Sequence, residues 1–143
     1  MSTRNATRPL VLFAMALAIG GVQHAAMAAM QPATQHGISY ISGGIGQDEA
    51  NAIRGQFGRY NLHLTFAARG GAFLADVQVS ISDAAGKTLV QATADGPYLL
   101  AAVPPGSYRV SATAGGATQQ PSVTVPQHGP VELRFYWDDA AAR

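Results

Sequence analysis

The sequence contains no cysteine. A disulfide staple is therefore excluded, and so is the lipid anchor that bacterial lipoproteins attach to a cysteine near the export cleavage site. A membrane-length apolar run is missing as well. The uncharged apolar stretch Leu10–Val22 spans 13 residues, whereas a helix that crosses a bilayer needs about 20. Arg4 and Arg8 precede it and Ala26-Met27-Ala28 follows it, which is the order of positive, apolar and small-residue regions that a signal peptidase reads. Residues 1–28 are expected to be a cleaved secretory signal, leaving a periplasmic or secreted chain with no membrane span. Excess positive charge is absent too. Nine Lys plus Arg stand against eight Asp plus Glu, and loss of Arg4 and Arg8 leaves seven against eight, a balance of −1. No basic surface for nucleic acid is expected.

Residues able to do chemistry are also few. After residue 28 the histidines are His36, His63 and His128. None has the H-x-x-E or H-E-x-x-H spacing that brings two histidines and a carboxylate to a zinc ion. His63 falls on the polar side of an alternating segment and His128 in Pro126-Gln127-His128-Gly129-Pro130, so both read as exposed histidines. Asp138-Asp139 reads as solvated charge near the terminus. A serine nucleophile would need a histidine base and a G-x-S-x-G elbow, and that motif is missing. The expectation is therefore a protein without metal, cofactor or catalytic residues, and not an enzyme.

What the chain does have is pattern. Residues 29–37 show no periodicity and read as a flexible leader. Residues 38–59 combine a glycine-punctuated turn, Tyr40–Gly46, with helical spacing over Gln47–Phe57, where Ala50, Ile53 and Phe57 fall at i, i+3 and i+7. Asp48 and Glu49 sit in its first turn, where the helix dipole favours negative charge. Glycine-rich backbone before a helix can cradle an anion, or it can be a tight connection that lets the helix dock. The absence of Lys or Arg from Ser42–Gly46 points to the connection, and Gly46 is followed by Gln47 rather than by the Lys-Ser/Thr of a phosphate loop.

From Tyr60 the period changes to two. Tyr60, Leu62, Leu64 and Phe66 alternate with Asn61, His63 and Thr65, and Val77, Val79 and Ile81 alternate with Gln78, Ser80 and Ser82. Asp83-Ala84-Ala85-Gly86 and Asp95-Gly96 are turn signals. Further strands are expected over Thr88–Ala94, Tyr98–Val103, Tyr108–Ala114, Thr118–Val125 and Val131–Tyr136. Pro104 and Pro105 cannot donate ladder hydrogen bonds, so they stop a strand at Val103, and Gly106 supplies the freedom to turn. Tyr98, Leu100 and Val103 are expected to share the core with Tyr108, through an irregularity near Ala101-Ala102. The fold class that follows is all-β: an antiparallel sandwich of about seven strands over 60–137, preceded by one short N-terminal helix and followed by a tail over 138–143.

The segments Asp83-Ala-Ala-Gly-Lys-Thr-Leu, Asp95-Gly-Pro-Tyr-Leu-Leu and Val103-Pro-Pro-Gly-Ser-Tyr-Arg-Val resemble the carboxypeptidase regulatory-like domain family. The likeness covers roughly Leu62–Phe135 and implies a prealbumin-like (transthyretin-like) sandwich. It carries fold rather than activity. Transthyretin-like hydrolases end in Tyr-Arg-Gly-Ser, where this chain has Trp137-Asp138-Asp139-Ala140-Ala141-Ala142-Arg143. Collagen-adhesin repeats can crosslink a lysine on an early strand to an asparagine on a late one. Here the only lysine, Lys87, lies in a turn signal, and no asparagine follows Asn61. The expected function is a non-catalytic binding or structural module of the bacterial envelope, partnered by another envelope protein or surface component. The alternative is a small-ligand or carbohydrate-binding protein. In either reading Tyr136 and Trp137 are the candidate contact residues.

Overall fold

A computed structural model describes residues 31–138; the expected signal segment and Asp139 lie outside the described residues. The strands are β1 (Ala33–Gln35), β2 (Ile38–Gly43), β3 (Leu62–Ala68), β4 (Val77–Asp83), β5 (Thr88–Ala94), β6 (Tyr98–Ala102), β7 (Gly106–Ala114), β8 (Ala117–Gln119), β9 (Ser122–Val125) and β10 (Val131–Trp137). One helix, α1 (Gln47–Arg54), and a 3-10 turn (Phe57–Arg59) join β2 to β3. The strands form two five-stranded sheets, one ordered β1-β2-β6-β3-β10 and the other β5-β4-β7-β8, with β9 also paired to β7.

The all-β sandwich expected from the alternation is present, with ten strands where about seven were expected. The difference has local causes. Tyr40–Gly43, expected as a turn, belongs to β2, and the expected leader carries β1, which pairs antiparallel with it. Helix α1 therefore interrupts the sandwich rather than preceding it. Pro121 splits the expected Thr118–Val125 strand into β8 and β9, because it has no N–H to give to the ladder. One pair, β3 with β10, is parallel.

Between the sheets lies the core. Phe66, fully buried on β3, packs its ring 5.6 Å from Phe135 and 6.3 Å from Trp137, while Phe135 and Trp137 stack at 5.9 Å. Val77, Val79 and Ile81 from β4 and Val110 from β7 close the opposite side, all essentially fully buried. Burying each such side chain contributes about 1.5–3 kcal/mol.

Strand β6 departs from the expected face assignment. Its pairing with β2 and β3 runs in continuous register through Ala101 and Ala102, and Leu99, Ala101 and Val103 enter the main core with Tyr108. Tyr98 and Leu100 point the other way, into a second cluster with Ile41, Ile53 and Tyr60. Helix α1 covers that outer face, so β6 is buried on both sides and shows no polar alternation. Ala50 and Ile53 are the helical residues that bury, as their spacing implies.

Side chains complete the connections. Asp83 Oδ1 accepts the N–H groups of Ala85 and Lys87 at 3.0 and 2.9 Å, closing the β4–β5 turn. The Tyr108 hydroxyl donates to the Pro104 carbonyl at 2.5 Å and pins the double-proline turn; burial first, and the nearby Asp83 charge second, raise the pKa of this phenol. Asn61 binds both backbone groups of Val103, accepting from its N–H at 2.9 Å and donating to its carbonyl at 2.7 Å. Asn61→Ala orphans that pair of groups and is expected to cost about 2–3 kcal/mol, to be read from denaturant unfolding of the two proteins.

Candidate functional site

Among the described residues, the outer face of the first sheet is only half covered. Helix α1 lies over β2 and β6; beyond it the outward residues of β3 and β10, namely Thr65, Ala67, Glu132, Arg134 and Tyr136, line an open cleft of about 390 Å³. Arg54 and Phe57, from the end of α1 and the 3-10 turn, form one wall, and Phe73 from the β3–β4 loop contributes the other. An isolated bridge between Phe73 and Ala67 holds that loop against β3.

The cleft is aromatic. Tyr98 forms the floor with 9 % of its surface exposed, while Phe73 and Tyr136 stand at the mouth at 58 % and 47 %. The Tyr98 ring centroid lies 6.1 Å from both the Phe57 and the Phe73 rings. Among the described residues the only other exposed large apolar side chain is Ile45. Two of three such residues thus share one depression, and exposed apolar groups gathered in a concavity mark contact surfaces better than scattered ones do.

Charge is arranged around these rings. The Arg54 guanidinium carbon lies 5.9 Å from the centroid of Tyr98, within cation–π range. Its Nη1 donates to Asn51 Oδ1 at 3.2 Å and its Nη2 to the Tyr98 hydroxyl at 3.4 Å, and no carboxylate of the described residues lies within salt-bridge distance of it. Arg134 Nε donates to Glu132 Oε1 at 2.7 Å. That bond, with a smaller contribution from Tyr136, raises the Arg134 pKa further above its already basic range. The cleft therefore offers stacking surface, one cation not neutralised by an acid, and one ion pair able to exchange hydrogen bonds with a bound molecule.

Compared with known proteins, the chain matches no family model and no curated protein. Its own geometry must carry the functional reading. A hollow of about 410 Å³ beside the Asp83–Gly86 turn and one of about 460 Å³ over β4, β5 and β7 have mainly small and polar linings, with no exposed aromatic ring.

The candidate contact pair separates. Tyr136 lines the cleft. Trp137, the next residue on the strand, faces the core at 3 % exposure and donates its indole N–H to the Ala117 carbonyl at 3.0 Å; it packs on Phe66 and Phe135, not on the helix and not toward a partner. His63 also departs from expectation, with only 6 % exposed. Its ring lies 4.6 Å from that of Phe57, and its Nε2 reaches the carbonyls of Phe57 and Tyr60 at 3.1 and 2.8 Å. Two carbonyl acceptors place the proton on Nε2, so His63 ties the 3-10 turn to β3. His128 is exposed in the β9–β10 loop, and His36 donates from Nδ1 to the Leu89 carbonyl at 3.1 Å. Asp138 pairs with Arg69 at 3.0 Å on the surface.

The glycine-rich loop before α1 holds a carboxylate of its own chain. Glu49 Oε1 accepts the N–H groups of Gly44 and Ile45 at 2.8 and 3.3 Å. Gly44 has φ +109°, and a Cβ there would lie 2.5 Å from the Tyr98 ring. The loop is thus a docking connection for the helix, as the absence of Lys and Arg implies. Phe73, Tyr98 and Arg54 were not separable as site residues by sequence reasoning. Phe73 alone carried a signal, as an aromatic standing between the turn Arg69-Gly70-Gly71 and the next alternating run.

Proposed function

We propose that the protein is a non-catalytic, exported binding module of the bacterial envelope, related to the carboxypeptidase regulatory-like domains, and that it engages its partner through the cleft beside Tyr136. One observation carries the reading: Phe73 and Tyr136 stand exposed at the mouth of a depression floored by Tyr98, with the Arg54 guanidinium, not ion-paired to any carboxylate of the described residues, at its wall. Aromatic residues and arginine are the side chains that most often dominate protein interfaces. The described residues contain no group of three His, Cys, Asp or Glu able to hold a metal, and no helix among them is long and apolar enough to cross a membrane. The polar side chains at the cleft are two arginines, a glutamate, a threonine and the hydroxyls of Tyr98 and Tyr136, a set with no histidine, cysteine or lysine among the lining residues, which suits recognition better than nucleophilic chemistry.

The double variant Phe73→Ala/Tyr136→Ala tests this. Both side chains are largely exposed, so the melting temperature is expected to stay near that of the native chain. Capture of the envelope partner is expected to fall at least about tenfold, the loss produced by removing one interface anchor. Equal capture by the variant and the native protein would refute the assignment.

The same cleft supports a carbohydrate as the second reading. A sugar ring stacks on exposed aromatic faces, and Arg54, Glu132 and Arg134 stand at the edge to meet its hydroxyls. A glycan present at 100 times its dissociation constant adds about 2.7 kcal/mol to stability. A thermal-shift series of neutral and acidic oligosaccharides reads that gain directly, and it is expected to vanish in the double variant.

A further inference from the structure

Strand β10 ends the first sheet, and no strand of the described residues pairs with its far edge. It runs parallel to β3, with Val131 opposite Leu62 and Trp137 opposite Ala68. In a parallel ladder alternate residues send both backbone groups to the same neighbour, so those between them point both groups away. The Val131 N–H donates to the Asn61 carbonyl at 2.9 Å, and the Trp137 carbonyl accepts from the Arg69 N–H at 2.7 Å. Odd-numbered residues therefore face β3, and Glu132, Arg134 and Tyr136 direct their backbone outward. Gln119 Nε2 occupies the Tyr136 carbonyl at 2.7 Å. The N–H and C=O of Glu132 and Arg134 have no partner among the described residues.

We propose that this edge pairs antiparallel with the same edge of a second copy of the chain, about a two-fold axis passing at Leu133. Outward-facing backbone can meet only outward-facing backbone, and pairing the open groups of Glu132 and Arg134 with themselves or with each other puts the axis at Glu132, Leu133 or Arg134. An axis at Glu132 sets two glutamates directly opposite each other, and one at Arg134 sets two arginines opposite; like charges in facing positions destabilise a strand pair. An axis at Leu133 places Glu132 opposite the partner's Arg134 and Arg134 opposite the partner's Glu132. Each of these pairs exchanges two backbone hydrogen bonds. Because Glu132 and Arg134 already form an ion pair along the strand at 2.7 Å, every charge at the seam then has opposite charges as its nearest neighbours.

Packing favours the same axis. Val131 and Leu133, on the core side of β10, are only half-buried, because the sheet stops beside them. Pairing sets Leu133 against the partner's Leu133 and Val131 against the partner's Phe135. An edge bearing charges of one sign would repel its own copy; this edge alternates sign and is self-complementary, as a two-fold interface requires. The two five-stranded sheets join into one continuous sheet that carries both clefts on one face.

Sedimentation of the purified protein tests the pairing. The native chain is expected to reach twice its monomer mass as concentration rises. Arg134→Glu and Glu132→Arg each turn the seam into a like-charged one, and each is expected to weaken association at least about tenfold while the melt of the dilute monomer stays near that of the native chain. The two variants mixed are expected to form a dimer of one with the other, because their seams are then opposite in charge. The double exchange Glu132→Arg/Arg134→Glu is expected to restore self-association. A native chain that stays monomeric up to its solubility limit, a dimer indifferent to the single reversals, or reversed chains that do not combine would each overturn the proposal.

Discussion

Phe66→Asp is expected to yield no folded protein. Phe66 is fully buried and sits within ring contact of both Phe135 and Trp137. Truncating a buried phenylalanine costs about 3–5 kcal/mol through lost contacts and the cavity left behind. Aspartate adds an unpaired charge among apolar rings, where the indole N–H of Trp137 is already given to the Ala117 carbonyl, at a further cost of several kcal/mol. A domain holds only about 5–15 kcal/mol in total, so the sum is comparable with the whole of what is available. Val110→Asp, on the opposing sheet and equally buried, is expected to behave the same way. Circular dichroism and a denaturant titration decide the matter: a soluble variant that unfolds cooperatively would overturn the placement of these residues.

Removal of residues 38–59 is the second severe change. The segment carries β2, which is flanked in the first sheet by β1 and β6, together with the helix over the outer face of β6. Three of its four isoleucines, Ile38, Ile41 and Ile53, are buried, and at about 1.5–3 kcal/mol each they account for roughly 5–9 kcal/mol. Tyr98 and Leu100 would also meet water. Strand β1 would lose β2, its one partner strand among the described residues, although the Gln35 side chain also grips the second sheet, donating to the Gln91 carbonyl at 3.0 Å and accepting from the Gln91 N–H at 2.9 Å. The shortened chain is expected to show no cooperative melt. A melting temperature equal to that of the full chain would show the segment to be an independent arm.

Residues 60–138 could be read closely because their signals are local. Val77, Val79 and Ile81 alternate because β4 has one wet face. Asp83 makes its own turn with the N–H groups of Ala85 and Lys87. The Pro104-Pro105-Gly106 stop lies between β6 and β7, with β7 beginning at Gly106. In the sequence the cleft was marked by Tyr136, an aromatic at the end of the last alternating run, and more faintly by Phe73 beside the Arg69-Gly70-Gly71 turn.

His63 and Trp137 show why the rest was not. Alternation reports that two faces of a strand differ, but not what other part of the chain covers each one. His63 occupies a position that is wet in an isolated hairpin; here the 3-10 turn lies over it and supplies two carbonyls to its Nε2. Trp137 looked available at the end of the last strand, and it is buried because β10 pairs parallel with β3 and carries the ring onto Phe66. β1 had no periodic signal at all. Three residues are too few to show one, and their order comes from β2 and from the Gln35 contacts with β5.

By itself, then, the order of residues determined an all-β sandwich, the turns at Asp83–Gly86 and Pro104–Gly106, and a short helix opening at Gln47, since each depends on neighbours within a few positions; the expected helix reached Phe57, which instead opens the 3-10 turn beyond Arg54. The tertiary structure decided which side of the first sheet is left uncovered, that Phe73, Tyr98 and Arg54 gather there with Tyr136, and that β10 ends the sheet with open hydrogen-bonding groups. Those outcomes join residues up to about eighty positions apart in the chain, and contacts at such separations leave no periodic trace along it.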